Sequence, residues 1–260
     1  MFARPALGAR ALVALVAWHM AAPAAGADAV TTIDRVKNSI VAIGTFERTR
    51  TPQFEFRGTG FVVGDGTLVA TNAHVLPPAL DPANLEKLAI LLPAHGDGRI
   101  QFRDATQVAV DPGSDLALLK ITGERLPPLK LSSSDGVRAG QDILFTGFPI
   151  GAVLGPYPAT HRGMVSAVTP IAIPQARSGE LDPKVIRRLS SGAFPVFQLD
   201  ATAYPGNSGS PVYDPESGEV LGIINMVLVK GTKEAALTQP SGIGYAVPSN
   251  HLRALLDKAR

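Results

Sequence analysis

The chain has 260 residues, with 24 Lys+Arg against 22 Asp+Glu, 26 Gly, 22 Pro and no Cys. That composition excludes a disulfide scaffold, a thiolate nucleophile, Cys-ligated metal, a collagen-like repeat and a disordered tail. A formal charge of +2 gives no reason to expect nucleic acid as a partner, and no metal site or cofactor is read from the sequence.

Residues 1–27 read as an export signal. Arg4 and Arg10 precede the mostly apolar run Ala11 to Ala22, and Ala25-Gly26-Ala27 supplies the small-x-small pattern of a cleavage site. A membrane-spanning helix needs about 20 apolar residues; this run is shorter, contains His19 and ends at Pro23. Retention as an uncleaved anchor is the weaker alternative. The expected destination is the periplasm or the exterior. Residues 28–260 are expected to carry no net charge and no membrane span.

A short helix capped by a Thr is predicted over Thr32 to Asn38. Strands are then predicted at Ile40 to Phe46, Glu55 to Val63, Thr67 to Thr71, Leu88 to Leu92, Ala105 to Val110 and Leu116 to Ile121. After a connection they resume at Ile143 to Gly147, Gly163 to Val168, Val196 to Asp200, Ser210 to Tyr213, Val220 to Val229 and Ile243 to Val247. These segments are short, rich in Val and Ile, and punctuated by Gly, Pro or Asp. Many such strands with almost no long helix between them argue for an all-β chain of antiparallel sandwiches or barrels. A last helix is expected from Ser249 or Asn250, with Leu252, Leu255, Leu256 and Ala259 on one face. The stretch Gly123 to Gly140 reads as the connection between two halves. The segments Pro77 to Asn84 and Pro170 to Pro195 break the strand rhythm; the second contains a candidate helix opened by Asp182-Pro183.

Hydrolysis by a serine nucleophile needs a hydroxyl, an imidazole to take its proton, a carboxylate to orient the imidazole, and backbone N–H groups for the oxyanion. Gly206-Asn207-Ser208-Gly209-Ser210-Pro211 puts a serine between glycines, where the chain can turn sharply. Four histidines follow the export signal. His74 comes just after an apolar strand; His95 and His251 read as surface residues, and His161 could line a cleft. Asp115 heads the apolar run Leu116 to Leu119, where a buried carboxylate needs partners to offset desolvation.

Taken together, Gly58-Thr59-Gly60-Phe61-Val62-Val63, Leu68-Val69-Ala70-Thr71-Asn72-Ala73-His74-Val75, Ser114-Asp115-Leu116-Ala117-Leu118-Leu119-Lys120, Gly206 to Val212 and Gly242 to Asn250 resemble the chymotrypsin-like (trypsin-like) serine proteases. Within them the cysteine-free bacterial branch with the HtrA (Deg) proteases and glutamyl endopeptidases is the nearest match. The resemblance implies two six-stranded antiparallel β-barrels, at about 36–122 and 141–248, with a C-terminal helix at about 249–259. It implies His74 as general base, Asp115 as orienting carboxylate and Ser208 as nucleophile, with an oxyanion hole at Gly206, Asn207 and Ser208, its donors being the Gly206 and Ser208 amides. An α/β-hydrolase is disfavoured, because there the histidine follows the serine in the chain.

The resemblance further implies a first pocket framed by Thr202, Ile224, Asn225, Met226, Val227 and Gly242. Those residues offer no acid for Lys or Arg, and Ile224 stands where glutamyl endopeptidases carry a histidine. Small or medium aliphatic residues are therefore the expected preference, in protein or peptide substrates. Asn207 cannot make the ion pair that zymogen-type relatives form with a new N-terminus. The chain ends too soon after Asn250 for the PDZ domain typical of HtrA proteases, and Phe46, Phe54 and Phe56 lie where such proteases trimerise, so a homo-oligomer is one expectation. The competing reading is a catalytically idle, chaperone-like protein that holds peptides in the same cleft.

Overall fold

The strand β1 (Ile40–Phe46) carries the logic of the architecture. Val41 and Ile43 are buried in one apolar cluster, while Ile40 and Ala42, on the opposite face, are buried in another. A strand apolar on both faces must be covered on both sides. The computed structural model describes residues 28–93, 100–151, 155, 157–170, 194–225 and 242–259.

Among the described residues the first half continues with β2 (Phe54–Val63), β3 (Leu68–Asn72), β4 (Lys87–Leu92), β5 (Gln101–Asp111) and β6 (Leu116–Ile121). These close into a barrel in the order β1-β2-β3-β6-β5-β4. The second half supplies β7 (Asp142–Gly147), β8 (Ala159–Pro170), β9 (Pro195–Asp200), β10 (Pro211–Tyr213), β11 (Val220–Ile224) and β12 (Ile243–Pro248). They close in the order β10-β11-β12-β9-β8-β7. Closure leaves no unpaired sheet edge in either half. The chain is thus all-β with two six-stranded barrels.

Each barrel has its own interior. Val41, Ile43, Val62, Val69, Ile90 and Leu119 fill the first; Ile143, Phe145, Val165, Phe197, Leu199 and Val212 fill the second. A third cluster joins outward residues of both barrels, including Phe61, Leu118, Leu144, Phe148, Tyr213 and Ile223, with residues of the two α-helices among the described residues. This shared core fixes one barrel against the other and so defines the cleft between them.

The helices differ from expectation in how they are capped. The first, α1 (Ala29–Lys37), begins earlier because the Asp28 carboxylate accepts from the Thr31 N–H at 2.8 Å. Thr32 is buried and donates to the Glu216 carbonyl at 3.1 Å, which docks α1 on the turn after β10. In α2 (Ser249–Lys258) neither Ser249 nor Asn250 caps locally. Ser249 Oγ donates to the Ser132 carbonyl at 2.8 Å and Asn250 Nδ2 to Asp135 at 2.8 Å, so the helix start is tied to the connection instead. That connection is itself anchored to both barrels, Leu129 N–H donating to Val62 O and Val220 N–H to Lys130 O.

Two strands run several residues beyond their predicted bounds. β8 begins at Ala159 and β5 at Gln101, because ladder partners in β7 and β4 recruit polar residues that local patterning leaves out. The predicted strand Val220 to Val229 ends at Ile224 in β11; residues 226–241, residues 171–193 with the Asp182 cap, His95 and the export signal lie outside the described residues. Phe46 and Phe54 lean on Phe102, with centroids 5.3 and 5.5 Å away, whereas Phe56 packs edge-on against Phe148. His251 is half-buried rather than a surface residue, its ring centroid 4.4 Å from that of Phe194. Among the described residues no helix is long and apolar enough to cross a membrane.

His161 is half-buried and stacks on Phe145 at 4.8 Å, with a buried Nε2 that has no hydrogen-bond partner among the described residues. Burial lowers its pKa, so the folded chain keeps the ring neutral where the unfolded chain would take up a proton. The stability this implies is complete above the ordinary imidazole range and is lost as pH falls from there through the lowered folded-state value. Thermal melting should therefore drop more steeply over that range in the wild type than in His161→Phe; parallel curves would contradict the assignment.

Candidate active site

His74 sits on a single 3-10 turn, Ala73–Val75, at the end of β3. Arg57 on β2 holds the far side of that turn, its Nε donating to the Val75 carbonyl at 2.8 Å. Asp115 lies across from it in the turn between β5 and β6. The Asp111 carboxylate shapes that turn by accepting from Gly113 N–H at 3.0 Å and Ser114 Oγ at 2.6 Å. Burial pushes the Asp111 pKa up, but the Ser114 hydroxyl, the Gly113 and Ser114 amides and the Lys258 charge together outweigh it and hold the carboxyl below its usual range. Asp115 itself adopts φ 58, a left-handed conformation that Asp tolerates better than most residues.

The two turns are locked to each other through the Asp115 backbone as well as its side chain. The Asp115 carbonyl accepts from Ala73 N–H at 3.0 Å and Asn72 Nδ2 at 3.2 Å. Its carboxylate is 4% exposed as a residue; Oδ1 accepts from His74 N–H at 3.0 Å, and Oδ2 from His74 Nδ1 at 2.6 Å and Asn225 Nδ2 at 2.9 Å. With Nδ1–H donating to Asp115, the His74 lone pair is on Nε2, which lies 2.9 Å from Ser208 Oγ.

The loop that carries Ser208 is held plane by plane. Gly206 has φ 100 and faces the Phe148 carbonyl so closely that a Cβ would lie 2.3 Å from it; only glycine fits there. The Pro205 carbonyl accepts from Ile150 N–H at 2.7 Å and the Asn207 carbonyl from Ser210 N–H at 2.9 Å. In a trans peptide the N–H points opposite the C=O. The Gly206 and Ser208 amides therefore face away from those anchors and donate to no backbone carbonyl among the described residues. The Asn207 amide differs, since its N–H donates to the Tyr204 carbonyl at 2.9 Å. Asn207 consequently falls out of the expected oxyanion set, leaving Gly206 and Ser208.

Four of the expected pocket residues are described, each with its own surroundings. Ile224 is fully buried in the core of the second barrel. The Asn225 side chain points at Asp115 instead of a substrate pocket. Thr202 borders an open groove with Asp142, Arg162 and Asp200, the Gly242 carbonyl accepts from Ala201 N–H at 2.9 Å, and Met226 and Val227 lie outside the described residues. Sequence reasoning missed Asn225 as a carboxylate partner. The signal available was a polar residue directly after the apolar run Val220–Ile224, which has to be satisfied if buried. Among the described residues no group of three His, Asp or Glu could hold a metal.

A sequence profile described as the trypsin-like peptidase domain matches residues 58–223. The chain belongs to the trypsin-like peptidase family. Within this family it is 30% identical over 203 residues to a DegP-like periplasmic serine endoprotease of Marinomonas sp., covering 78% of this chain and 35% of that protein. It is 32% identical over 202 residues to the mitochondrial serine protease HTRA2 of Bos taurus, covering 77% and 36%. The chain thus spans about a third of the length of the curated relatives it matches. Among solved structures the HtrA-type protease AlgW with a tripeptide aligns at TM-score 0.61 and 25% identity, covering 88% of this chain and 62% of that one.

The peptidase family frame makes Asn225 testable. Asn225→Asp would put a second carboxylate at the place of an amide that now donates to Asp115 at 2.9 Å. Like charges that close cannot both ionise without cost. The variant should melt below wild type at about pH 8, with the gap narrowing at about pH 5 as the pair takes up a proton. An unchanged gap between the two pH values would show that Asn225 does not serve the Asp115 charge.

Proposed function

We propose that the chain is an exported serine endopeptidase that works through Ser208, His74 and Asp115. The observation that carries this reading is the chain of contacts Asp115–His74–Ser208, at 2.6 and 2.9 Å, beside two amides with no backbone acceptor among the described residues. The relatives' names, which include periplasmic and serine endoprotease, support both the activity and the location, as does the export signal read from residues 1–27.

Ser208 Oγ adds to a peptide carbonyl while its proton passes to His74 Nε2. The resulting imidazolium is stabilised by the Asp115 carboxylate. The carbonyl oxygen becomes an oxyanion that the Gly206 and Ser208 amides are placed to receive. Collapse breaks the C–N bond, with the His74 proton going to the leaving amine, and an ester forms on Ser208. Water then adds with His74 again as base, and the departing Ser208 oxygen recovers the proton. A positioned base contributes roughly 10²–10⁴-fold and one oxyanion donor roughly 10²–10³-fold, so neither suffices alone.

The proposed preference is for Val, Ile, Ala or Leu at the cleaved position. Its support is the resemblance to HtrA proteases, since none of Thr202, Ile224, Asn225, Met226, Val227 and Gly242, the positions that frame the pocket by that resemblance, is an acid or a histidine. Digestion of a random peptide library should give cleavage after small and medium aliphatic residues, and none with Ser208→Ala, which should melt as wild type does. A profile dominated by Glu or Arg would overturn the preference, and a Ser208→Ala variant with most of the activity would overturn the nucleophile.

A further inference from the structure

Two carbonyls in the nucleophile loop are held from the other barrel, and both by one residue. Thr59 on β2 is fully buried. Its Oγ1 donates to the Gly206 carbonyl at 2.7 Å and its N–H donates to the Ser208 carbonyl at 2.9 Å. The direction of the hydroxyl bond is settled by a third contact. Phe148 N–H can only donate, and it does so to Thr59 Oγ1 at 3.0 Å; the single hydroxyl proton is then free for Gly206. The Thr59 carbonyl is occupied as well, accepting from Thr71 Oγ1 at 2.7 Å.

The surroundings leave Thr59 no alternative position. A Cβ on Gly209 would lie 2.0 Å from its carbonyl oxygen, and one on Gly147 would lie 2.9 Å from its Oγ1. Between the peptide that carries the Gly206 amide and the one that carries the Ser208 amide lies a single peptide plane. Thr59 Oγ1 pins its carbonyl, that of Gly206, while its N–H, that of Asn207, is taken by Tyr204 O on the other side. Thr59 N–H pins the plane that follows Ser208. The convergence of the two free amides therefore depends on the Thr59 contacts.

We propose that Thr59 is a positioning residue: its hydroxyl, supplied by the first barrel, sets the geometry of the oxyanion donors on the second. This rests on the peptidase reading above. A buried hydroxyl with both bonds made is replaced almost isosterically by Val, which would leave the Gly206 carbonyl and the Phe148 amide unpaired. A misplacement of about 1 Å at reacting groups can cost about 10²-fold in rate.

The test is the concentration dependence of labelling by an alkyl fluorophosphonate, whose phosphoryl oxygen requires the same donors, using the full chain as wild type, Thr59→Val and Thr59→Ser. The inference expects Thr59→Val to lower the limiting labelling rate by about 10-fold to 100-fold with its half-saturation concentration unchanged, and Thr59→Ser to restore the rate to within about threefold of wild type, since it keeps the hydroxyl. Thermal melting of each variant verifies folding, and Thr59→Ala replaces Thr59→Val if the latter does not fold. Equal limiting rates in the folded hydroxyl-free variant and wild type would overturn the proposal. So would a change confined to half-saturation, or failure of both hydroxyl-free variants to fold, which would make the role structural. A wild type that is not labelled at all would instead remove the peptidase reading on which the proposal stands.

Discussion

The buried Asp115 carboxylate is the interaction on which the site depends. An ionised carboxyl taken out of water is costly unless donors replace the lost hydration. Here the donors come from both halves of the molecule: the His74 amide and ring from the first barrel, Asn225 from the second. Satisfying one charge therefore fixes the imidazole tautomer, the ring orientation and the register of the two barrels across the cleft. The Asp115 carbonyl adds bonds from Ala73 and Asn72, so the turn bearing Asp115 and the turn bearing His74 are tied to each other.

That arrangement requires barrels that do not slide. The shared core supplies the constraint, because outward residues such as Phe61, Leu118, Leu144 and Tyr213 are buried against each other instead of facing water. Close packing of this kind resists small displacements. Polar contacts across the same boundary then set the details. Thr59, from the first barrel, reaches the loop of Ser208 on the second, while Ser132 and Asp135 of the connection hold the start of α2. The loop of Ser208 is ordered by hydrogen bonds from within the described chain, consistent with an Asn at position 207 that cannot form an ion pair with a new N-terminus.

Much of this was legible in the sequence. Alternation of Val and Ile between Gly, Pro and Asp located the strands, and β1 and β6 match their predicted bounds. The order of the His74, Asp115 and Ser208 segments brought forward three residues that the fold does place within hydrogen-bonding distance. What could not be read was set by distant partners. Ladder pairing extended β5 and β8 into polar residues, Ser249 and Asn250 found their partners more than a hundred residues earlier, and Asn225 turned from the expected pocket to Asp115. The Asn207 amide and the Thr59 hydroxyl belong to the same class, since whether a backbone or hydroxyl group is free depends on contacts that no local pattern encodes.

The central claim is that Ser208 is a nucleophile because His74, oriented by Asp115, takes its proton. Mass spectrometry of tryptic peptides after exposure to a fluorophosphonate tests it most directly, comparing wild type with His74→Ala. The account predicts one adduct on Ser208 in the wild type, and labelling of the variant slower by about 10²-fold or more, the scale of a positioned general base. Labelling at equal rates in both proteins, or an adduct on a residue other than Ser208, would contradict it.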